Sequence, residues 1–293
     1  MGDIHIGDIA VAKVEEKAGP IFEPKGLIPD FDLAKLEAHR HWLIPGHLDP
    51  VTGNLVGSFH SWLLKTPRHT ILVDTCVGND KNRPNFPNSH RVKLPWLDNL
   101  RATGTRPEDI DFVMCTHLHV DHVGWNTRLE NGRWVPTFPN ARYLFSRADR
   151  DYWDPKAGGH SAFAMDEIIF NDSVLPVIET GQAQLLEGVH EIESGLEIHP
   201  APGHTPGNMI LKARSRGAAG IFAGDCLHSP VQIYFPEWNA SVDEDKPLAH
   251  KTRVAIYEEC VETRAMLLPA HFAAPHAGHI KRAGRGYAFE FLR

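Results

Sequence analysis

Six consecutive residues, from His117 to His122, constrain this chain more than any other stretch. They read His-Leu-His-Val-Asp-His and place three imidazoles and one carboxylate in one short segment. Solvated histidines are an alternative, because a chain with 19 histidines shows some clustering by chance. Zinc and related cations, however, bind imidazole nitrogen and carboxylate oxygen, and two adjacent ions need several such ligands on one loop. The segment therefore predicts a metal site.

The residues around this segment predict its position in the fold. Ser58 to Thr66 and His69 to Thr75 read as the two strands of a hairpin. Asp111 to Cys115 is a short apolar run that reads as a buried strand and leads directly into the histidines. The metal-ligand segment is therefore expected on the loop that leaves this strand.

Three later motifs each place one metal-ligand residue after a predicted strand. His204 lies in Ala-Pro-Gly-His-Thr-Pro-Gly, Asp225 in Ala-Gly-Asp-Cys, and His271 in Leu-Pro-Ala-His. The glycines and prolines around His204 favour a tight turn, which would hold its imidazole rigidly. Each motif alone is weak evidence, because a single histidine after a strand is usually an ordinary surface or core residue. Together with the cluster the three motifs become specific.

Alternating strands and helices predict the fold class. Helical patterns cover Asp166 to Glu179, despite Pro176, and Asp245 to Thr263, while Gly278 to Phe291 reads as a closing hairpin. Strands interleaved with helices in a chain of this size predict an α/β fold with sheets covered by helices.

Length and charge limit the organisation and the partners. A chain of 293 residues with no break in composition predicts a single domain over 1–293. The net charge of -7, with no sustained basic run, argues against nucleic-acid binding.

Location and redox state follow from simple absences in the sequence. Met1 to Lys17 mixes acidic residues with apolar ones and lacks the apolar block of a secretory signal. No apolar stretch is long enough to span a bilayer, and the four cysteines form no Cys-x-x-Cys pair. These features predict a cytoplasmic protein with reduced thiols and no membrane partner.

The ligand-type residues and their order resemble the metallo-β-lactamase fold superfamily, whose members carry His-x-His-x-Asp-His followed by single His, Asp and His ligands. The resemblance runs from about Phe59 to His271 and includes Val73-Asp74-Thr75, so it implies an N-terminal extension at 1–57 and a core at 58–293. The implied fold is an αββα sandwich with the metals at one sheet edge. The extension could enlarge the substrate pocket or form a subunit contact, and because related enzymes often dimerise, a homodimer is one expectation. Nearer the C-terminus, the segments Gly224 to His228 and Asp243 to Asp245 are similar to the methyl parathion hydrolase-like branch, to which quorum-quenching lactonases are related.

The resemblance also implies a ligand set and a mechanism. Two divalent ions, expected to be zinc, would hold a bridging water as hydroxide, which attacks the substrate. Asp121 could also handle a proton, and Asp74 would hold a ligand or the strand end in place. One ion would take His117, His119 and His204, the other Asp121, His122 and His271, and Asp225 would bridge them.

His228 departs from the lactonase pattern, which typically has a tyrosine three positions after the bridging aspartate. The parathion hydrolase-like branch has histidine at this position, as this chain does. Two interpretations stay open: His228 donates a proton to the leaving group, or it is a hydrogen-bond partner of the metal ligands. The predicted catalytic residues are therefore Asp121 and His228.

The resulting hypothesis is a dinuclear metal-dependent hydrolase that opens a lactone or cleaves a carboxylic ester or phosphotriester of a small, partly apolar molecule. A glyoxalase II-like thioesterase has the same ligand set and is the main alternative. A persulfide dioxygenase with one iron, or a metabolite-binding sensor without turnover, would also retain this fold. True lactamases lack the bridging aspartate, and flavodiiron proteins usually replace the second histidine with glutamate, so Asp225 and His119 argue against both.

Overall fold

The computed structural model describes residues 4–157 and 164–292. The chain divides into two compact units, the first comprising Met1–Lys17 and Phe59–His190 and the second Ala18–Ser58 and Glu191–Arg293. Each unit has its own hydrophobic core and contributes strands and helices. The single domain over 1–293, with an extension at 1–57, stays a prediction.

Strands and helices follow one another along the chain, as expected for an α/β protein. The strands of the described residues are β1 (Ile4–Ile6), β2 (Ile9–Phe22), β3 (Leu55–Lys65), β4 (Thr70–Val73), β5 (Phe112–Met114), β6 (Thr127–Glu130), β7 (Arg133–Pro136), β8 (Arg142–Ser146), β9 (Ala183–Leu186), β10 (His190–Glu193), β11 (Leu196–Pro200), β12 (Met209–Ser215), β13 (Ala218–Gly224), β14 (Met266–Pro269), β15 (Gly278–Ala283) and β16 (Gly286–Phe291). The α-helices are α1 (Pro24–Leu27), α2 (Arg40–Leu43), α3 (Trp96–Ala102), α4 (Arg147–Trp153), α5 (Ala164–Ser173), α6 (Leu175–Glu179), α7 (Val231–Tyr234) and α8 (Lys246–Thr263).

The first seven-stranded sheet has the order β1-β2-β3-β4-β5-β8-β9. The pairs β4 with β5, β5 with β8, and β8 with β9 are parallel. Parallel strands are usually covered on both faces, which fits the nearly continuous apolar runs of β4 and β5. Their side chains, such as Leu72 and Val113, join Trp96 and Leu100 of α3 in the core of the first unit. The expected hairpin of β3 and β4 and the expected strand β5 are confirmed.

The second seven-stranded sheet has the order β10-β11-β12-β13-β14-β15-β16. β11 pairs antiparallel with β12 and β12 antiparallel with β13, whereas β13 pairs parallel with β14. β11, β13 and β14 therefore all run the same way and end at the same edge of the sheet. Ile256 and Tyr257 of α8 pack into the core of this unit with strand residues such as Ile221 and Leu267.

The structure corrects one expected helix and adds one long strand. The helix expected from Asp166 to Glu179 is two helices, because α5 ends at Ser173 and α6 begins at Leu175. Pro176 fits the first turn of α6, where its missing N–H costs nothing, but it could not lie inside a continuous helix. β2 has 14 residues and was not expected from its mixed polar and apolar sequence. In the residues that the structure describes, no helix is long and apolar enough to cross a membrane.

Candidate metal centre

Three loops that leave parallel strands meet at one edge of the first sheet. Asp74 follows β4, the cluster from His117 to His122 follows β5, and Asp149 lies in the helix that begins after β8. The carboxyl ends of parallel strands are where α/β folds place their ligands. Because these strands run in the same direction, Asp74 before the cluster and Asp149 after it can both reach the backbone where the cluster begins.

The cluster brings its imidazoles into direct contact. His117 Nε2 lies 3.0 Å from His119 Nδ1, and the ring centroids of His117 and His122 are 4.0 Å apart. His122 Nε2 lies 3.6 Å from Asp121 Oδ1. His117 and His122 are buried, while His119 and Asp121 are half-buried. The four predicted ligands from this unit therefore lie together at the end of β5.

Two buried carboxylates hold the cluster in place. Asp74 accepts from the backbone N–H of Thr116 at 2.7 Å and from His122 Nδ1 at 2.9 Å. Asp149 accepts from the backbone N–H of Leu118 at 3.1 Å. Asp74 thus has the position the sequence predicted for it, and Asp149 is a support that the sequence did not reveal.

Glu16 is a further support of this loop region that sequence reasoning missed. Its carboxylate accepts from the backbone N–H groups of Val77 at 2.9 Å and Gly78 at 3.0 Å, and from Trp125 Nε1 at 2.8 Å. Burial, only partly opposed by these donors, raises the pKa of Glu16 to about 7. It ties the segment after β4 to the segment after the cluster. A lone glutamate within a strand gives no sequence signal of this role.

The second unit presents its three predicted ligands at the ends of β11, β13 and β14. His204 lies in the turn after β11, Asp225 follows Gly224 at the end of β13, and His271 follows β14. A Cβ on Gly203 would lie 2.3 Å from the backbone nitrogen of Ala249, so only glycine allows the turn to approach α8 this closely.

Asp225 lies among three histidines of the same unit. His271 Nε2 is 2.9 Å from Asp225 Oδ1, while His228 Nε2 and His204 Nε2 are 3.1 Å and 3.5 Å from Asp225 Oδ2. The rings of His228 and His271 are nearly parallel, with centroids 5.6 Å apart. All four side chains are buried. His228 therefore contacts the carboxylate that the sequence assigns as the bridging ligand.

The buried acceptors around these histidines determine which ring nitrogens are free for a cation. Asp243 Oδ1 lies 2.9 Å from His204 Nδ1, and the carbonyl oxygen of Ser58 lies 3.1 Å from His271 Nδ1. With Asp74 on His122 Nδ1, three histidines have Nδ1–H donating to an oxygen, which leaves the Nε2 lone pair as a ligand. Carboxylates and neutral imidazoles are the donors that zinc takes. The residues of each unit therefore fit divalent metal ligands.

Electrostatics in the second unit favour an ionised carboxylate beside His204. Burial by itself would raise the pKa of Asp243, but the hydrogen bond from His204 and the charge of Arg253 hold that pKa below its usual value. Burial lowers the pKa of His228, and the adjacent Asp225 only partly opposes this effect. Burial and the carboxylate of Asp225 thus act in opposite directions on the pKa of His228.

A sequence profile described as Metallo-beta-lactamase superfamily matches residues 55–280. An N-acyl homoserine lactonase of a Bacillus species is 29% identical over 161 residues, which are 51% of this chain and 56% of that protein. The N-acyl homoserine lactonase AttM of Rhizobium radiobacter is 28% identical over 124 residues, 40% of this chain and 41% of that protein. The chain therefore spans about half the length of the curated relatives it matches.

Solved structures resemble nearly the whole chain. The hydrolase AbOPH of the beta lactamase superfamily has a TM-score of 0.80 at 23% identity, over 99% of this chain and 97% of its own. AidC, described as a dizinc quorum-quenching lactonase in complex with a product, has a TM-score of 0.79 at 20% identity, with coverage of 99% and 97%. At this identity the structures establish the fold alone. The predicted α/β class of metallo-β-lactamase type is thus confirmed, as is the relation to the lactonase branch.

Proposed function

We propose, from the premise that this chain belongs to the metallo-β-lactamase superfamily, that it is a metal-dependent hydrolase acting on a lactone or another ester. The carrying observation is the arrangement of buried imidazoles whose Nδ1 atoms face Asp74, Asp243 and the Ser58 carbonyl. Such partners fix the ring orientation and raise the basicity of the opposite nitrogen. This arrangement has no evident purpose in a core that needs only packing.

The proposed ligands are those assigned from the resemblance. Two divalent ions, proposed to be zinc, would be held by His117, His119 and His204 and by Asp121, His122 and His271, with Asp225 shared. When bound, these ions would supply hydroxide at neutral pH and polarise the carbonyl or phosphoryl oxygen of the substrate. No nucleophilic side chain is then required.

Two residues of the chain are proposed to handle protons. Asp121 is half-buried, and its Oδ1 lies 3.6 Å from His122 Nε2, so its carboxylate stays within the ligand set and can accept a proton there. His228 Nε2 lies 3.1 Å from Asp225 Oδ2, within hydrogen-bond distance of the carboxylate. Delivery of a proton from the imidazolium form of His228 to the leaving oxygen is the role proposed for this residue.

Small, partly apolar esters are the proposed substrates. The curated relatives support this class, because several are named N-acyl homoserine lactonases. Lactones and carboxylic esters are ranked above phosphotriesters, although the proposed chemistry serves both. A thioester remains the closest alternative, since glyoxalase II-like enzymes use the same ligand residues.

One experiment tests the metal and the substrate class on the same sample. Metal content is measured by mass spectrometry, and the loaded protein is then assayed with an acyl-homoserine lactone, an aryl ester, a thioester and a phosphotriester. Two zinc ions per chain and turnover of the lactone or aryl ester are expected. Turnover of the thioester alone would favour the thioesterase, and one iron per chain would favour a dioxygenase. Two bound ions with no hydrolysis of any substrate would refute the proposed function.

The role of His228 is tested by substitution. His228→Gln removes the proton donor, so kcat should fall about 10²- to 10⁴-fold, the usual contribution of a general acid. Metal content is the control and should stay at the wild-type level, because His228 is not a proposed ligand. Unchanged turnover of His228→Gln would leave His228 only as a hydrogen-bond partner of Asp225.

A further inference from the structure

A fully buried arginine lies behind the ligands of the second unit. Arg253 is in the middle of α8, and its side chain is 0% exposed. Its Nε donates to the carbonyl oxygen of Cys226 at 2.7 Å, and its Nη2 donates to Asp243 Oδ2 at 3.3 Å. Its Nη1 donates to the carbonyl oxygen of Pro236 at 2.7 Å. A charged group at this depth is stable only with such a set of acceptors.

Two of these acceptors lead directly to proposed metal ligands. Asp243 uses its other oxygen, Oδ1, to accept from His204 Nδ1 at 2.9 Å. Cys226 directly follows Asp225 in the chain, so its carbonyl fixes the backbone that carries the proposed bridging carboxylate. The guanidinium of Arg253 therefore contacts Asp243, which holds His204. It also contacts the backbone next to Asp225.

The helix that carries Arg253 is also fastened to the turn of His204. Thr252 Oγ1 donates to the carbonyl oxygen of Pro202 at 2.6 Å, and the backbone N–H of Asp245 donates to Gly203 at 2.9 Å. The turn of His204 is thus fixed at two points of α8, at Thr252 beside Arg253 and at Asp245 just before the helix begins. This attachment makes the helix a rigid base against which Arg253 can orient the ligands.

We propose that Arg253 is a positioning residue that fixes His204 and Asp225 relative to each other, an inference that rests on the metal-ligand assignment of the proposed function. The planar guanidinium directs Nε and Nη2 along different lines, and the two acceptors lie on those lines. An ammonium group is a single point charge on a flexible chain and cannot serve both acceptors in this way. The role therefore requires arginine and not only a positive charge.

Lysine and methionine variants of Arg253 test this role against a matched control. Arg83 is also fully buried and donates to both oxygens of Asp172 at 2.7 Å, but it contacts no proposed ligand. Arg253→Lys and Arg253→Met are therefore compared with Arg83→Lys in the full chain. Zinc stoichiometry and the dissociation constants of both ions are measured by competition with a chromophoric chelator. Thermal unfolding records the loss of stability in each variant.

The expected results separate positioning from a general loss of stability. Arg253→Lys should weaken the zinc ion assigned to His204 about 10- to 100-fold, the usual effect of losing an outer hydrogen-bond partner, and should weaken the other ion less, because Arg253 reaches that ion only through the backbone of Asp225. Arg83→Lys should lower the unfolding temperature without changing either dissociation constant. If Arg253→Met fails to fold, Arg253→Lys still decides the matter, because it keeps the charge.

Two results would overturn the proposal. The first is Arg253→Lys with both zinc affinities within twofold of wild type. The second is a loss of zinc affinity that is equal for both ions and is also found in Arg83→Lys. A second readout, nuclear magnetic resonance of the metal-free chain, follows exchange of the His204 Nδ1 proton with solvent; this exchange should quicken at least tenfold in Arg253→Lys. This readout survives failure of the proposed function, because it needs neither bound zinc nor turnover.

Discussion

Each histidine whose Nδ1 faces a fixed oxygen can present only its Nε2 to a cation. His122 makes this contact with Asp74, which also accepts from the backbone and hydroxyl of Thr116. The carboxylate therefore fixes the ring of His122 and the start of the cluster together. Because a carboxylate raises the basicity of the imidazole opposite it, loss of its charge should weaken the metal bond even where the geometry survives.

Asp74→Asn tests this effect, because it keeps the size of the side chain and removes its charge. Zinc affinity should fall about 10- to 100-fold, as measured by competition with a chelator. Asp111→Asn is the control, since Asp111 accepts from the backbone N–H of Thr70 at 2.8 Å but lies at the opposite end of β5. Equal zinc affinities in Asp74→Asn and wild type would show that Asp74 only holds the strand end.

His47 predicts a pH dependence of stability away from the proposed ligands. It is buried, stacks on Phe291 with ring centroids 4.8 Å apart, and its Nδ1 has no hydrogen-bond partner among the described residues. Burial, with a smaller effect of His276, lowers the pKa of His47 from its usual value of 6.5 to about 4. As the pH falls below 6.5, His47 becomes protonated in the unfolded chain but stays neutral in the folded chain. Stability contributed by neutral His47 is therefore present above pH 6.5 and is lost down to about pH 4.

The size of this effect is set by the two pKa values and is roughly 3 kcal/mol. His47→Phe keeps the ring stack and cannot titrate. Between pH 7 and pH 4 its free energy of unfolding should therefore fall by about 3 kcal/mol less than that of the wild type. Urea unfolding of the metal-free chain between pH 7 and pH 4 measures the difference. If the two chains lose stability in parallel, another group is responsible.

The proposed metal ligands were predicted from the sequence, whereas most of the residues that support them, apart from Asp74, were not. Histidines and aspartates at unusual density identify themselves by type, so the positions from His117 to His122 could be predicted. Glu16 and Arg253 are ordinary charged residues within a strand and a helix, and only the burial of their side chains distinguishes them. Burial of a single charge depends on contacts distant in sequence, which no local pattern contains.

At the level of elements, the expected hairpin of β3 and β4 and the helix expected from Asp245 to Thr263 are confirmed. Asp245 lies just before α8 and caps it by accepting from the backbone N–H of Leu248 at 3.0 Å. β2 was missed because Lys13, Glu15 and Glu16 interrupt its alternation and Gly19 and Pro20 lie near its end. Pairing in the sheet overrides these weak local preferences.

Close approach of two loops explains why Gly78 must be glycine. It has φ +78°, and a Cβ there would lie 2.6 Å from the carbonyl carbon of Gly124. Gly104 has nearly the same φ, +74°, with no atom within 4 Å of a Cβ. An alanine at either position would have the same unfavourable left-handed backbone conformation. Only at Gly78 would its Cβ also clash with another loop.

Alanine substitutions at Gly78 and Gly104 separate these two costs. Gly104→Ala should lower the free energy of unfolding by about 1 kcal/mol, the cost of a left-handed conformation for a residue with a Cβ. Gly78→Ala should cost roughly 3 kcal/mol or more, because backbone atoms cannot move aside cheaply. Urea unfolding measures both. Equal losses would mean that the loops after β4 and after the cluster separate easily.

At the scale of the whole molecule, bound ions should contribute to stability by mass action. A ligand that binds the folded chain and not the unfolded one stabilises it by about 4 kcal/mol when its free concentration is 1,000 times its dissociation constant. The proposed ligands lie at positions 117–122, 204, 225 and 271, so two ions would link segments that are remote in sequence. The sequence order of these ligands was readable, but the strand orders of the two sheets were not, because pairing depends on the tertiary fold.

Removal of the metal is the test at this scale. Dialysis against a chelator should lower the unfolding temperature of the wild-type chain by on the order of 10 °C relative to the zinc-saturated chain, since about 2–4 °C is expected per kcal/mol. Asp225→Ala should lose most of this difference, because the proposed bridging carboxylate would serve as a ligand of both ions. The metal-free form of Asp225→Ala should unfold near the metal-free wild type, which separates ligand loss from damage to the core. If zinc leaves the unfolding temperature of the wild-type chain unchanged, the histidines and Asp225 are held together by their own hydrogen bonds, and the dinuclear centre must be abandoned.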